Sequence, residues 1–316
     1  MNWLKDLKIL GVAALVIITF FFVWLLPDEH GDYPLALRQL VGQVFPERLT
    51  PDDAATKYAK GELRVLVVPG HDNTYSGAEF RGLRESDLTR TMAERIVFYL
   101  KQNRNLSATT TRDFSTGEYS PEFASYFERE REAIRSFRST LRRQFVSLLQ
   151  SGQVKEEVVV PHNFAPDEAS IRLYGINKWA NEHLIDLALH IHFNDHAGRR
   201  GGQVGKYRGF SIYVPEDQLP GHRLSHGLAE SIKEKLALES PVSDLPKESS
   251  GVIQDQELIA IGANGSRDGA SILVEYGYIY ETRFVDPARR AFVLDLLARR
   301  TAEGLAAYFA GNLAAR

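Results

Sequence analysis

From residue 63 onward, short apolar runs of strand length alternate with longer stretches whose apolar residues recur at helical spacing. This alternation, more than any other feature, limits what the chain can become. Residues 63–68 read as a β run, and 85–102 as a helix with Leu88, Met92, Ile96, Val97 and Leu100 on one side. A second strand follows at 106–111, then a helix within 167–184 and a strand at 185–193. Strands at 210–214 and 272–276 and helices at 224–236 and 287–309 continue the pattern. It predicts an α/β fold with a mostly parallel central sheet flanked by helices, whose ligands sit beyond the carboxyl ends of the strands. Residues 121–150 break the rhythm. There Ile134, Phe137, Leu141, Phe145 and Leu148 form one helical stripe among many Arg and Glu residues, suggesting a helical insert over about 115–155.

The amino-terminal segment obeys a different rule. Residues 9–27 carry no charge, and at about 1.5 Å per residue a helix of that length spans roughly 28 Å, close to the hydrocarbon core of a bilayer. Lys5 and Lys8 precede the run, and Asp28, Glu29 and Asp32 follow it. That asymmetry predicts a single-pass anchor in the inner (cytoplasmic) membrane, with a cytoplasmic stub and the rest of the chain on the extracytoplasmic side. A cleaved signal peptide would have a shorter apolar core ending in small residues, whereas this run ends in Trp24, Leu25, Leu26 and Pro27. The expected organisation is a stub and transmembrane helix over 1–27, a proline-punctuated tether over 28–60, and a catalytic domain over 61–316.

Composition removes several functions. The chain has 316 residues, a net charge of −3 and no cysteine. Without a basic excess, nucleic acid is not an expected partner. Without cysteine, thiolate catalysis and Cys-ligated zinc are excluded, so any metal site must use His, Asp or Glu.

Residues of that kind cluster at predicted strand ends. His71 follows Pro69 and Gly70 after the first strand, and Glu85 opens the next helix. His190 and His192 alternate with Leu189 and Ile191 and so share one face of their strand; one of them is enough for a ligand. Glu275 stands in an apolar run, where a carboxylate is costly to bury without a partner. Singly, each has a plain structural explanation: strand-end loops are polar, and a first-turn glutamate suits the helix dipole. Two His and one Glu, with a further Glu, match the inventory of a catalytic zinc site with a general base.

Together these residues carry a resemblance. Over about 63–311 the chain resembles the zinc-dependent N-acetylmuramoyl-L-alanine amidases of the Amidase_3 type, which are peptidoglycan hydrolases. The matching elements are Pro69-Gly70-His71, Gly77-Ala78, Glu85, Thr111-Arg112-Asp113, Ala180-Asn181, His190-Ile191-His192-Phe193-Asn194 and Val274-Glu275-Tyr276-Gly277-Tyr278. The resemblance implies Zn2+ held by His71, Glu85 and His192, with Glu275 as the catalytic carboxylate. It also implies hydrolysis of the amide between N-acetylmuramic acid and L-alanine. Asn194 would lie just past the site. Asp72 and His190 depart from the family's glycine and serine, which makes them candidates for contacts with the metal ligands or the substrate. The alternatives are a zinc peptidase acting on stem peptides and a non-catalytic wall-binding protein on the same fold. The 121–150 helix is a candidate seat for an activator protein.

Overall fold

The computed structural model describes residues 48–157, 165–196, 198–200 and 202–314. The 9–27 run, the stub and most of the expected tether lie outside the described residues. Among the described residues no helix is long and apolar enough to cross a membrane.

The first element corrects the expected tether. Helix α1 (Pro51–Lys60) is fully formed, with Thr50 and Asp53 completing a reciprocal cap, Pro51 in the first turn and Gly61 closing the far end. Ala54, Ala55 and Tyr58 are buried. The Tyr58 ring stacks on Phe309 at 4.6 Å, and Lys57 Nζ lies 2.5 Å from an Asp186 carboxylate oxygen. The folded unit therefore includes residues that sequence reading assigned to a flexible linker.

Among the described residues, six strands form one sheet in the order β4–β1–β5–β8–β6–β7. They are β1 (Leu63–Pro69), β4 (Leu106–Thr110), β5 (Leu187–Asn194), β6 (Ser211–Pro215), β7 (Val252–Asp255) and β8 (Ala270–Tyr278). A small hairpin, β2 (Glu79–Phe80) with β3 (Leu83–Arg84), stands apart. Strands β4, β1, β5 and β8 run parallel; β6 is antiparallel to β8, and β7 follows β6. The sheet is thus mostly parallel with a reversed edge.

Alternation along the strands sorts two cores. One face of the sheet (Val65, Val67, Leu189, Ile191, Ile272, Val274) packs on α2 (Glu85–Leu100), α6 (His222–Leu236) and α8 (Pro287–Ala314). The other face (Leu66, Val68) is covered by α3 (Pro121–Arg129), α4 (Arg131–Gln150) and α5 (Asp167–Glu182). A four-residue helix α7 (Thr282–Val285) links β8 to α8.

The insert is two helices rather than one. Ser120 caps α3, with Pro121 in its first turn, and the chain turns at Glu130 before α4. The apolar stripe is used in packing: Ile134, Phe145 and Leu148 are buried, and Phe137 and Leu141 lie against the same core as α5. Arg138 Nη1 binds an Asp167 oxygen at 2.6 Å, and Arg131 pairs with Glu168, joining α4 to the first turn of α5.

Candidate active site

Three segments deliver side chains to one point near the carboxyl ends of the parallel strands. Gly70 N–H donates to Ile191 O at 2.8 Å, extending the β1–β5 ladder to the residue before His71. His71 then takes a left-handed conformation (φ 62°), uncommon outside glycine. Arg112 braces this turn by donating to His71 O. The following loop folds back onto the start of α2. Glu85 N–H donates to Ala78 O at 2.9 Å and Ser86 N–H to Ser76 O at 3.0 Å, so loop carbonyls satisfy first-turn donors that no side chain caps.

This closure fixes Glu85, which is 4 % exposed. Its carboxylate accepts from Ala78 N–H at 2.9 Å and Phe193 N–H at 3.1 Å. It faces both histidines: His71 Nε2 is 3.1 Å from Oε2, and His192 Nδ1 is 3.0 Å from Oε1. The His71 and His192 rings meet edge to face at 5.1 Å. One donor atom from each of His71, Glu85 and His192 lies within 4.8 Å of the other two. Two glycines make room. A Cβ on Gly70 would stand 2.3 Å from His192 Cε1, and one on Gly77 (φ 74°) would stand 2.4 Å from Glu85 Oε2.

Glu275 arrives by strand register. It pairs with His192 across β5 and β8, and with Ser211 across β8 and β6. Registered neighbours on parallel strands share a face, so His192 and Glu275 point the same way. Glu275 Oε2 is inaccessible and has no hydrogen-bond partner among the described residues.

The charges are set by burial and by one another. Burial works against ionised Glu85, but His71 and His192 outweigh it and hold the carboxyl well below its usual range. Burial pulls His71 down, yet the Glu85 carboxylate more than offsets this and leaves the ring above its usual value. Burial lowers His192 despite Glu85. Glu275 is pushed well above the ordinary carboxylate range by burial, with Glu85 and Glu248 adding to it. An ionised Glu beside two histidines suits a divalent cation, and a carboxyl with raised proton affinity suits proton transfer.

The sequence profile of the N-acetylmuramoyl-L-alanine amidases matches residues 65–307. The chain belongs to the N-acetylmuramoyl-L-alanine amidase family. Its enzyme class is that of a peptidoglycan amidase, and zinc dependence is typical of the family. No curated protein sequence matches the amidase significantly. Among solved structures, the CwlD amidase from Clostridioides difficile, in complex with the GerS lipoprotein, is 14% identical with a TM-score of 0.51, covering 79% of this chain and 99% of that one. The amidase AmiC2 of Nostoc punctiforme is 18% identical with a TM-score of 0.46, covering 78% and 96%. At 14% identity the likeness to the CwlD structure concerns the fold alone.

The other candidates lie outside the donor cluster. Asp72 is a brace: its Oδ1 accepts from Thr74 N–H at 2.8 Å and Tyr75 N–H at 2.7 Å, and its Oδ2 pairs with Arg172 of α5. Asn194 Nδ2 donates to Glu248 at 3.2 Å. His190 is 1 % exposed, and neither ring nitrogen has a partner among the described residues. Burial, with His192 and Arg267 nearby, takes its pKa down to about 3. His190→Leu is therefore expected to keep its metal and to gain about 1 kcal/mol of stability in urea unfolding, because it removes unpaired buried nitrogens. Loss of metal from that variant would put His190 in the donor set.

Sequence reading missed two supporting side chains, Glu248 and Arg172, and named Arg112 without a role. Arg112 lies in the Thr-Arg-Asp element, and that motif was the only sign of its importance.

Proposed function

We propose that the chain is a zinc-dependent amidase that cleaves the bond between N-acetylmuramic acid and L-alanine in peptidoglycan, tethered to the cytoplasmic membrane by residues 9–27. The observation that carries the reading is the register of Glu275 beside His192, at the edge where His71 and Glu85 also converge. His71, Glu85 and His192 would hold the metal; the donor set is right for zinc, and the glycines leave room around it. Zinc, when bound, supplies a Lewis acid. The chain's own part is proton management. Glu275 takes a proton from the attacking water as its oxygen joins the lactyl carbonyl, and gives a proton to the alanine nitrogen as the C–N bond breaks. A free amine is a far better leaving group than an amide anion, so the second transfer is as necessary as the first.

A mass spectrum of purified muropeptides after incubation with the enzyme tests this. Free peptides beginning with L-alanine and an intact lactyl-bearing glycan are expected. Shortened stem peptides still bound to glycan would favour the peptidase alternative, and unchanged substrate the non-catalytic one.

The anchor rests on the uncharged run and on Lys5 and Lys8 before it, against Asp28, Glu29 and Asp32 after it. A mature protein that retains residues 1–27, with the folded unit cleaved by protease added from the outer face, is expected. A soluble form starting near residue 28 would remove the anchor and leave the enzyme. We extend the proposal to an activator acting on the insert, whose outer side exposes Arg142, Arg143 and Val146. The CwlD structure, which holds a lipoprotein partner, is a precedent for an assembly of this kind.

A further inference from the structure

We propose that Glu248 is a positioning residue of the reaction: one buried carboxyl group that fastens the ends of β5 and β8 to the middle of β6, around Glu275. The inference rests on the amidase reading and adds a residue to it. Glu248 closes a short 3-10 turn (Pro246–Glu248) and is 1 % exposed. Its Oε1 accepts from Tyr213 Oη of β6 at 2.6 Å and from Asn194 Nδ2 of β5 at 3.2 Å. Its Oε2 accepts from Tyr278 Oη of β8 at 3.3 Å. A polar side chain is a costly choice for a fully buried position unless its oxygens are hydrogen-bonded, as both are here.

The place where it binds accounts for the choice. Between His192 and Asn194 the β5–β8 register slips: His192 pairs with Glu275, but Asn194 pairs with Tyr278. The extra residue lies in β8 just past Glu275, where Gly277 has φ 145°. Such a bulge bends a strand and loosens its ladder. Glu248 grips both strands immediately beyond it, and the next strand as well. The ladder is regular up to His192 and Glu275 and slips just past them, so without that grip this pair would be the last before a loosened strand end. A misplacement of about 1 Å in such a pair costs on the order of 10²-fold in rate.

The test uses the full-length protein. Glu248→Leu keeps much of the volume and removes the acceptors. It is expected to lower kcat about 10- to 100-fold with KM changed less than about 2-fold and zinc content unchanged. In the metal-free protein, amides of residues 192–195 and 277–279 should exchange about 10-fold faster. Glu248→Gln can keep all three contacts, because Tyr278 Oη can accept as well as donate; it should stay within about 3-fold of wild-type kcat. Wild-type kcat in Glu248→Leu would overturn the proposal. So would equal impairment in Glu248→Gln, which would assign the effect to charge. If Glu248→Leu does not fold, Tyr213→Phe decides: an approximately 3- to 10-fold loss in kcat at constant KM supports the role, and wild-type kcat overturns it. If the wild-type protein releases no product, the amidase reading fails by itself, and the exchange measurement, which needs no turnover, still decides for Glu248.

Discussion

Glu275→Gln is expected to lower turnover about 10²- to 10⁴-fold while zinc content and melting temperature stay at wild-type values. The substitution is nearly isosteric and changes only the ability to carry a proton. Glu275 is not among the clustered donors, so the metal should remain. Burial and the nearby Glu85 and Glu248 carboxylates raise its proton affinity, so the wild-type group is suited to pick up the water's proton and hold it until the amine leaves. Steady-state kinetics beside metal analysis checks this. Near-normal turnover would remove Glu275 from the mechanism, and loss of metal would make it a ligand.

The second large effect concerns the metal itself. His71→Ala is expected to reduce zinc content at least about 10-fold and to abolish activity, because a three-ligand site has no spare donor. The folded unit should survive, since His71 lies in a loop whose backbone is held by Arg112 and by the Asp72 turn. Elemental analysis after dialysis against a weak chelator, with circular dichroism as the control for folding, is the measurement. Full zinc occupancy would refute the assignment of His71.

Of the four candidate site residues, three break a local pattern in the sequence, while Glu85 is an ordinary first-turn glutamate marked only by its place a short loop after His71. Glu275 interrupts an apolar strand, His192 ends one, and His71 follows a Pro-Gly punctuation. Parallel architecture was legible from alternation alone. The reversed β6–β7 edge was not, because strand direction leaves no mark on a short apolar run. Helix α1 had a readable signature in Thr50, Pro51 and Asp53, but Pro51 counted as loop punctuation although proline suits a first helical turn. Glu248 was illegible for a deeper reason. In "LPKESSG" it reads as a surface charge. Its burial exists only once Asn194, Tyr213 and Tyr278 come together from three strands. Asp72 was noticed for its position beside His71, and only the fold shows it turned away to Arg172.

One measurement bears most directly on the central claim. Purified muropeptides are digested by the zinc-loaded enzyme in water enriched in 18O, and the fragments are resolved by tandem mass spectrometry. Hydrolysis of the N-acetylmuramic acid–L-alanine bond puts one 18O atom in the lactyl carboxylate of the glycan and none in the released peptide. Label in a peptide carboxylate, with the lactyl amide intact, would contradict the account.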